Sequence, residues 1–274
     1  MKSRVFPEHN YKSFFIGGKT LRIKLDPSLP ITDLKYPEFM DVKITNACRG
    51  NCLYCYQDSG NECDGYRNAL EKLDSYFFGL TYNQRPFQVA IGGGNPNEHP
   101  DFNEILRLFS FYGILPNYTT NGMGLTQEIV NHTAKLCGGV AISCHPHLAD
   151  YWMNAVDLLH DKVQTNLHII ISDSESVERF KSIYTTYKER IKYFVLLPYE
   201  AAGRAKYKPV DYQALTEALN DIGTTENIAF GANFYKYLCS SDFKISLYEP
   251  EIFSKFLDVK DMKLYRSSFN LVEV

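Results

Sequence analysis

Six times between Phe39 and Ile222, a short apolar run of strand character is followed by a longer segment of helical periodicity. Strands are expected at Phe39–Thr45, Phe87–Ile91, Ile114–Thr119, Val140–Cys144, Leu167–Ile171 and Tyr193–Leu197. The helices are marked by residue spacing and by caps. Leu70, Leu73 and Phe77 give Tyr66–Leu80 one apolar face, and Asp101 with Glu104 forms an acidic variant of a capping box ahead of Phe102, Ile105, Leu106 and Phe109. Thr126 caps a helix whose buried face is Ile129, Val130, Thr133 and Leu136. Further helices are expected around Tyr151–His160, from Ser174, and from Asp211, where Leu215, Ala218, Leu219 and Ile222 share a face. Strand-helix units in series join parallel strands through right-handed crossovers. The predicted fold class is therefore α/β, an incomplete (β/α)6 TIM-like barrel over residues 39–222 with every loop that follows a strand gathered on one edge.

Two flanking segments differ in character. Phe14-Phe15-Ile16 and Thr20-Leu21-Arg22-Ile23 alternate around Gly17-Gly18, which predicts an N-terminal β-hairpin with a two-residue turn. With the extended connection at Pro27, Pro30 and Pro37 it makes up residues 1–38. Lys2, Arg4, Lys12, Lys19, Arg22 and Lys24 form a basic patch there, read as a solvated surface. Residues 223–274 read as a small C-terminal extension: a strand at Ile228–Ala232, a short helix at Pro250–Phe256, and a hairpin of Leu257–Val259 with Met262–Tyr265 turning at Lys260-Asp261.

The loop after the first strand holds Cys48, Cys52 and Cys55. Thiolates usually cap all four irons of a [4Fe-4S] cluster, so three neighbouring cysteines would leave one iron open. Cys-x2-Cys pairs also bind zinc, so a noncatalytic zinc or iron-sulfur protein is the competing reading. The other functional-edge loops are Gly92-Gly93-Gly94-Asn95-Pro96, Thr120-Asn121-Gly122, Ser143-Cys144-His145, Ser172-Asp173 and Tyr199–Arg204. His145 and His147 read as polar rim residues, and His168, alternating with apolar neighbours on a strand, as a satisfied core histidine.

The Cys-x3-Cys-x2-Cys spacing, with Tyr54 directly before the last cysteine, resembles the radical S-adenosylmethionine (radical SAM) enzyme superfamily. The resemblance implies that Cys48, Cys52 and Cys55 bind a [4Fe-4S] cluster, that S-adenosyl-L-methionine (SAM) chelates the fourth iron, and that Tyr54 lies near the adenine. Gly92, Gly93 and Gly94 resemble the family's glycine-rich motif, with Asn95 where a glutamate is usual, so that an amide would accept from the cofactor ammonium. Asn121, Ser143 and Arg204 match further cofactor-contacting positions, Arg204 as a carboxylate partner. Thr120-Asn121-Gly122 resembles the peptide-modifying branch. Cys239-Ser240-Ser241, Phe253–Asp258 and Met262–Phe269 resemble the scaffold of that branch's cysteine-rich extension, with serines where a ligand would stand, so a trimmed extension without an auxiliary cluster is expected. The implied activity is reductive SAM cleavage and hydrogen abstraction from a peptide substrate, or else from a nucleoside, a DNA base or a small metabolite. An electron donor such as a flavodoxin or ferredoxin is implied as a partner.

Composition narrows the setting. The formal charge of -3 gives no overall basic excess for nucleic acid or an anionic membrane. No apolar run approaches membrane-spanning length, and Met1-Lys2-Ser3-Arg4 leads to Pro7 and Glu8 rather than to an apolar signal core. Seven cysteines, three of them clustered, do not look like a disulfide framework, and a reducing cytoplasm suits an oxygen-sensitive cluster.

Overall fold

The structure is a computed structural model that describes residues 1–62, 64–206, 213–222, 226–231, 234 and 250–274. Its main sheet runs through β4 (Phe39–Thr45), β5 (Gln88–Gly93), β6 (Leu115–Thr120), β7 (Gly139–Ser143), β8 (Gln164–Ile171), β9 (Tyr193–Pro198) and β10 (Ile228–Phe230), each parallel to the last. The intervening helices are α1 (Ala69–Phe78), α2 (Phe102–Phe111), α3 (Gln127–Leu136), α4 (Ala149–Leu159), α5 (Ser174–Tyr187) and α6 (Gln213–Ile222). The strand-helix series expected from periodicity is present. The sheet is open, and no closed barrel forms among the described residues.

Strand alternation separates the two faces of the sheet. Val42, Ile44, Val89, Ile91, Tyr118, Ile142, Leu167, Ile169 and Phe194 are fully buried in one core with Leu73, Phe77, Ile105, Phe109, Val156 and Phe180 from the helices. The intervening residues, among them Asp41, Gln88, Asn117, Ser143, Asn166 and His168, are half-buried on the opposite, concave face. A parallel strand covered on both sides would be apolar throughout. Polar residues at every second position therefore mark a face that is only partly filled by protein.

The caps agree in part with expectation. Thr126 accepts from Ile129 N at 3.3 Å, and Asp173 forms a capping box with Ser176 at the start of α5. Asp101 makes no side-chain cap bond, contrary to expectation. Its backbone N–H instead donates to His99 Nδ1 at 3.1 Å, because the tight Pro96–Glu98 turn brings that ring over the helix start.

At the N-terminus, β2 (Tyr11–Ile16) and β3 (Lys19–Lys24) form the expected hairpin around Gly17-Gly18, and β1 (Lys2–Phe6) adds a third antiparallel strand that periodicity did not reveal. The basic patch divides between two environments. Arg4 is 5 % exposed and lies 4.1 Å over the Phe87 ring, whereas Arg22 pairs with buried Glu38 at 2.7 Å and covers Phe253 at 3.8 Å. Phe15 stacks on Phe87 at 5.4 Å. These arginines attach the small sheet to the main one, which corrects their reading as solvated surface.

At the other end, α7 (Pro250–Phe253) leads to β11 (Ser254–Asp258), β12 (Lys263–Ser267) and β13 (Asn270–Glu273). The β11-β12 hairpin matches expectation, but β11 also pairs in parallel with β4, so the C-terminal strands extend the main sheet beside the cysteine-bearing strand. The segment around Cys239 lies outside the described residues.

Candidate active site at the cysteine loop

The chain leaves β4 into a loop closed on itself by a parallel bridge between Ala47 and Gly60. Cys48 N donates to Gly60 O at 3.0 Å and Asn46 N to Asp64 O at 2.9 Å. Within this closure burial raises the Cys48 thiol above its ordinary value, with Glu98 and Cys55 adding to it. Burial is the main cause for Cys52, whose thiol is pushed up to about 12, with the other two thiols adding to it. Cys63 lies outside the described residues.

Loops from four other strands meet this one. After β5, Glu98 accepts from Arg49 N at 3.1 Å and pairs with the Arg49 guanidinium. After β6, Asn121 Nδ2 points at Cys48 Sγ from 3.5 Å. After β7, His147 Nε2 donates to Gly50 O at 3.1 Å, and His145 Nδ1 lies 3.2 Å from the Tyr54 hydroxyl. After β9, Arg204 N donates to Cys55 O at 2.9 Å and its Nε to Cys52 O at 3.1 Å. Gly203 makes this possible: at φ +58, an added Cβ would stand 2.3 Å from Tyr56 O.

Two residues expected to face a cofactor are committed elsewhere. Arg204, expected as a carboxylate partner, ion-pairs with Asp58 at 3.2 Å and bonds two loop carbonyls. Asn95 is 1 % exposed, its Nδ2 donating to Met123 O at 2.8 Å and its Oδ1 accepting from Thr120 at 3.0 Å. Both hold loops in place. The glycine run likewise packs backbone on backbone: Gly94 N donates to Thr45 O at 2.8 Å, and a Cβ on Gly94 would stand 2.0 Å from Ala47 O. Gly92 differs, since a Cβ there would meet nothing within 4 Å. It offers an open approach beside the cysteine loop.

His145 and His147, expected as polar rim residues, contact the cysteine loop. His145 is held down to about 4 by burial, with His147 and Arg179 adding to it. His168 is on the concave face at the register position of Ser143, not in the core, and burial lowers it to about 4. Only register assigns it to that face. Tyr56, next to Cys55, stacks on Phe269 at 4.6 Å, so the C-terminal strands also reach the loop.

Asp41 lies on the same concave face, with its carboxyl pushed up to about 7 by burial. Below its ordinary value of 3.8 the group is protonated whether the chain is folded or unfolded. As pH rises toward 7 the unfolded carboxyl ionises first, and folding becomes progressively costlier. Asp41→Asn should therefore leave stability unchanged near pH 4 and raise it above pH 7, by at most about 4 kcal/mol and less where water enters the cavity. Urea melts at the two pH values measure this.

The thiol set suits an iron-sulfur cluster in its chemistry. Amide N–H groups are directed at two of the three sulfurs, from Asn121 to Cys48 and from Ser59 N to Cys55 at 3.3 Å, and such donors stabilise thiolate ligands. Among the described residues no three His, Cys, Asp or Glu side chains could hold a metal ion between them. Thiols that each take a separate iron need no convergence on one ion.

Known proteins resemble this chain in sequence and in fold. The mycofactocin maturase MftC of Mycobacterium tuberculosis H37Rv is 28% identical over 101 residues, 37% of this chain and 25% of the relative. MftC of Mycobacterium ulcerans is 28% identical over 111 residues, 40% of this chain and 30% of that protein. The matches thus span a quarter to a third of the relatives' length. In fold, the chain is similar to Streptococcus suis SuiB bound to S-adenosylmethionine, with a TM-score of 0.67 and 15% identity over 88% of this chain and 64% of that one. It is also similar to anSMEcpe with bound AdoMet and Cp18Cys peptide, with a TM-score of 0.59 and 15% identity over 85% of this chain and 75% of that one. The Radical SAM superfamily model matches residues 42–186, just over half of the chain and the stretch from β4 through most of α5 that builds the cysteine loop and three of its supports, and the chain belongs to that superfamily.

Proposed function

We propose that this protein holds a [4Fe-4S] cluster through Cys48, Cys52 and Cys55, binds SAM, and modifies a peptide by hydrogen abstraction. When bound, the cluster and SAM supply an electron and a 5′-deoxyadenosyl radical. The observation that carries the reading is the convergence of four functional-edge loops on a three-thiol loop, two of whose sulfurs already receive N–H groups. In this reading Glu98, His147 and Arg204 fix the loop, the open space at Gly92 admits the cofactor, and Tyr54, Asn121 and Ser143 contact it. Gly93 and Gly94 bring that backbone against Thr45 and Ala47, at the entry to the cysteine loop.

Two kinds of likeness support a peptide substrate. The MftC relatives are maturases, and SuiB bound to its precursor peptide SuiA matches with a TM-score of 0.66 over 85% of this chain. An electron donor such as a flavodoxin or ferredoxin completes the scheme. No described helix is long and apolar enough to cross a membrane, and a reducing cytoplasm fits the free thiols.

Anaerobically reconstituted, chemically reduced protein is expected to release 5′-deoxyadenosine from SAM slowly without any peptide. Chromatography of the quenched reaction tests this. Release no greater than from the triple-cysteine variant, with wild-type cluster content confirmed, would sink the proposal.

A further inference from the structure

Asp41 makes no side-chain hydrogen bond or ion pair among the described residues. Alternation places it on the polar face of β4, where it is half-buried, and register sets it between Phe256 of β11 and Ala90 of β5. Neither neighbour carries a polar side chain. The nearby groups that could answer its charge are committed elsewhere: Lys43, next along the same face, reaches Asp258 at 3.9 Å, and Asn117, beside Ala90 on β6, donates to Val89 O at 3.0 Å and Gln88 Oε1 at 3.3 Å. A half-buried carboxylate without a counter-charge is costly, and what satisfies it best is a cation that donates hydrogen bonds. Space for one lies close by. With strands about 4.8 Å apart and a rise of about 3.3 Å per residue, Gly92, the register partner of Lys43, is about 8 Å from Asp41. A Cβ on Gly92 would meet nothing within 4 Å. A group held at Asp41 would therefore stand beside the approach to the cysteine loop.

We infer that Asp41 is a specificity-determining residue of this site and that it takes a basic side chain of the substrate peptide. The inference rests on the function proposed above. A substrate contact is favoured over a cofactor contact because the rest of β4, through Thr45, separates Asp41 from the thiol loop.

The test uses full-length, cluster-loaded protein with two probes, acetylated and amidated Gly-Ala-Lys-Ala-Gly and the same peptide with norleucine in place of lysine, which lacks only the ammonium. With SAM and reductant, the lysine peptide is expected to raise 5′-deoxyadenosine release at least fivefold more than the norleucine peptide in wild type, and less than twofold more in Asp41→Asn, a variant that should melt no lower than wild type. A second readout does not depend on turnover: a water-soluble carbodiimide should couple the lysine peptide to Asp41 as an amide, located by mass spectrometry. A lysine preference absent from wild type, or retained in Asp41→Asn, overturns the inference while release without peptide leaves the proposed function standing. Coupling spread over exposed carboxylates with none at Asp41 overturns it as well. Wild-type protein that releases no 5′-deoxyadenosine with or without peptide overturns the proposed function and this inference together.

Discussion

Alanine at Cys48, Cys52 or Cys55 is expected to abolish iron incorporation, each variant falling from about four irons per chain to near none. The three thiols lie within one closed loop, and amide N–H groups are directed at two of them. With so few ligands, loss of any one leaves two. The remaining described cysteines should behave differently: Cys144 is 5 % exposed with its sulfur toward Ile142 O, and Cys137 packs against the core below the helices. Single alanine replacements there should leave iron and sulfide content unchanged. Iron and sulfide assays on anaerobically reconstituted protein decide. Full iron content in any of the three loop variants, or stoichiometric zinc in anaerobically purified wild-type protein, would contradict the ligand assignment.

Gly94→Ala should be the most destabilising single methyl addition in the site. The new Cβ would stand 2.0 Å from Ala47 O and 2.7 Å from its carbon, and neither side can yield. Gly94 N is bonded to Thr45 O and Asn95 N to Ala47 O, so separating the strands breaks both bonds. Overpacking commonly costs about 1–3 kcal/mol and more against rigid surroundings, and the broken bonds add about 1 kcal/mol each. A loss of about 4 kcal/mol corresponds to a melting temperature lower by roughly 8–16 °C in a domain of this size. Gly92→Ala, two residues away, meets open space and should melt like wild type, while its methyl occupies the approach to the proposed cofactor position and weakens SAM binding. Calorimetry of melting beside titration with SAM separates the two. Similar melting temperatures for Gly94→Ala and wild type would show that the backbone contact is not rigid.

Expectation and structure part company where a side chain's direction depends on a distant loop. Asn95 and Arg204 occupy plausible cofactor positions along the chain, yet each satisfies partners 25 or more residues away in sequence. The arginines of the N-terminal patch look solvated until Phe87, Glu38 and Phe253 arrive from the main sheet to cover them.

The sequence by itself determined the elements and their order, because burial on one side imposes a period on each segment and parallel strands joined by helices admit one handedness. It also determined where three thiols would cluster, since eight residues of loop cannot separate them far. Tertiary structure alone decided that β11 would pair beside β4 and that His168 and Asp41 would lie, half-buried, on the polar face of the main sheet. Those outcomes depend on register and on contacts between residues far apart in the chain, and local periodicity carries neither.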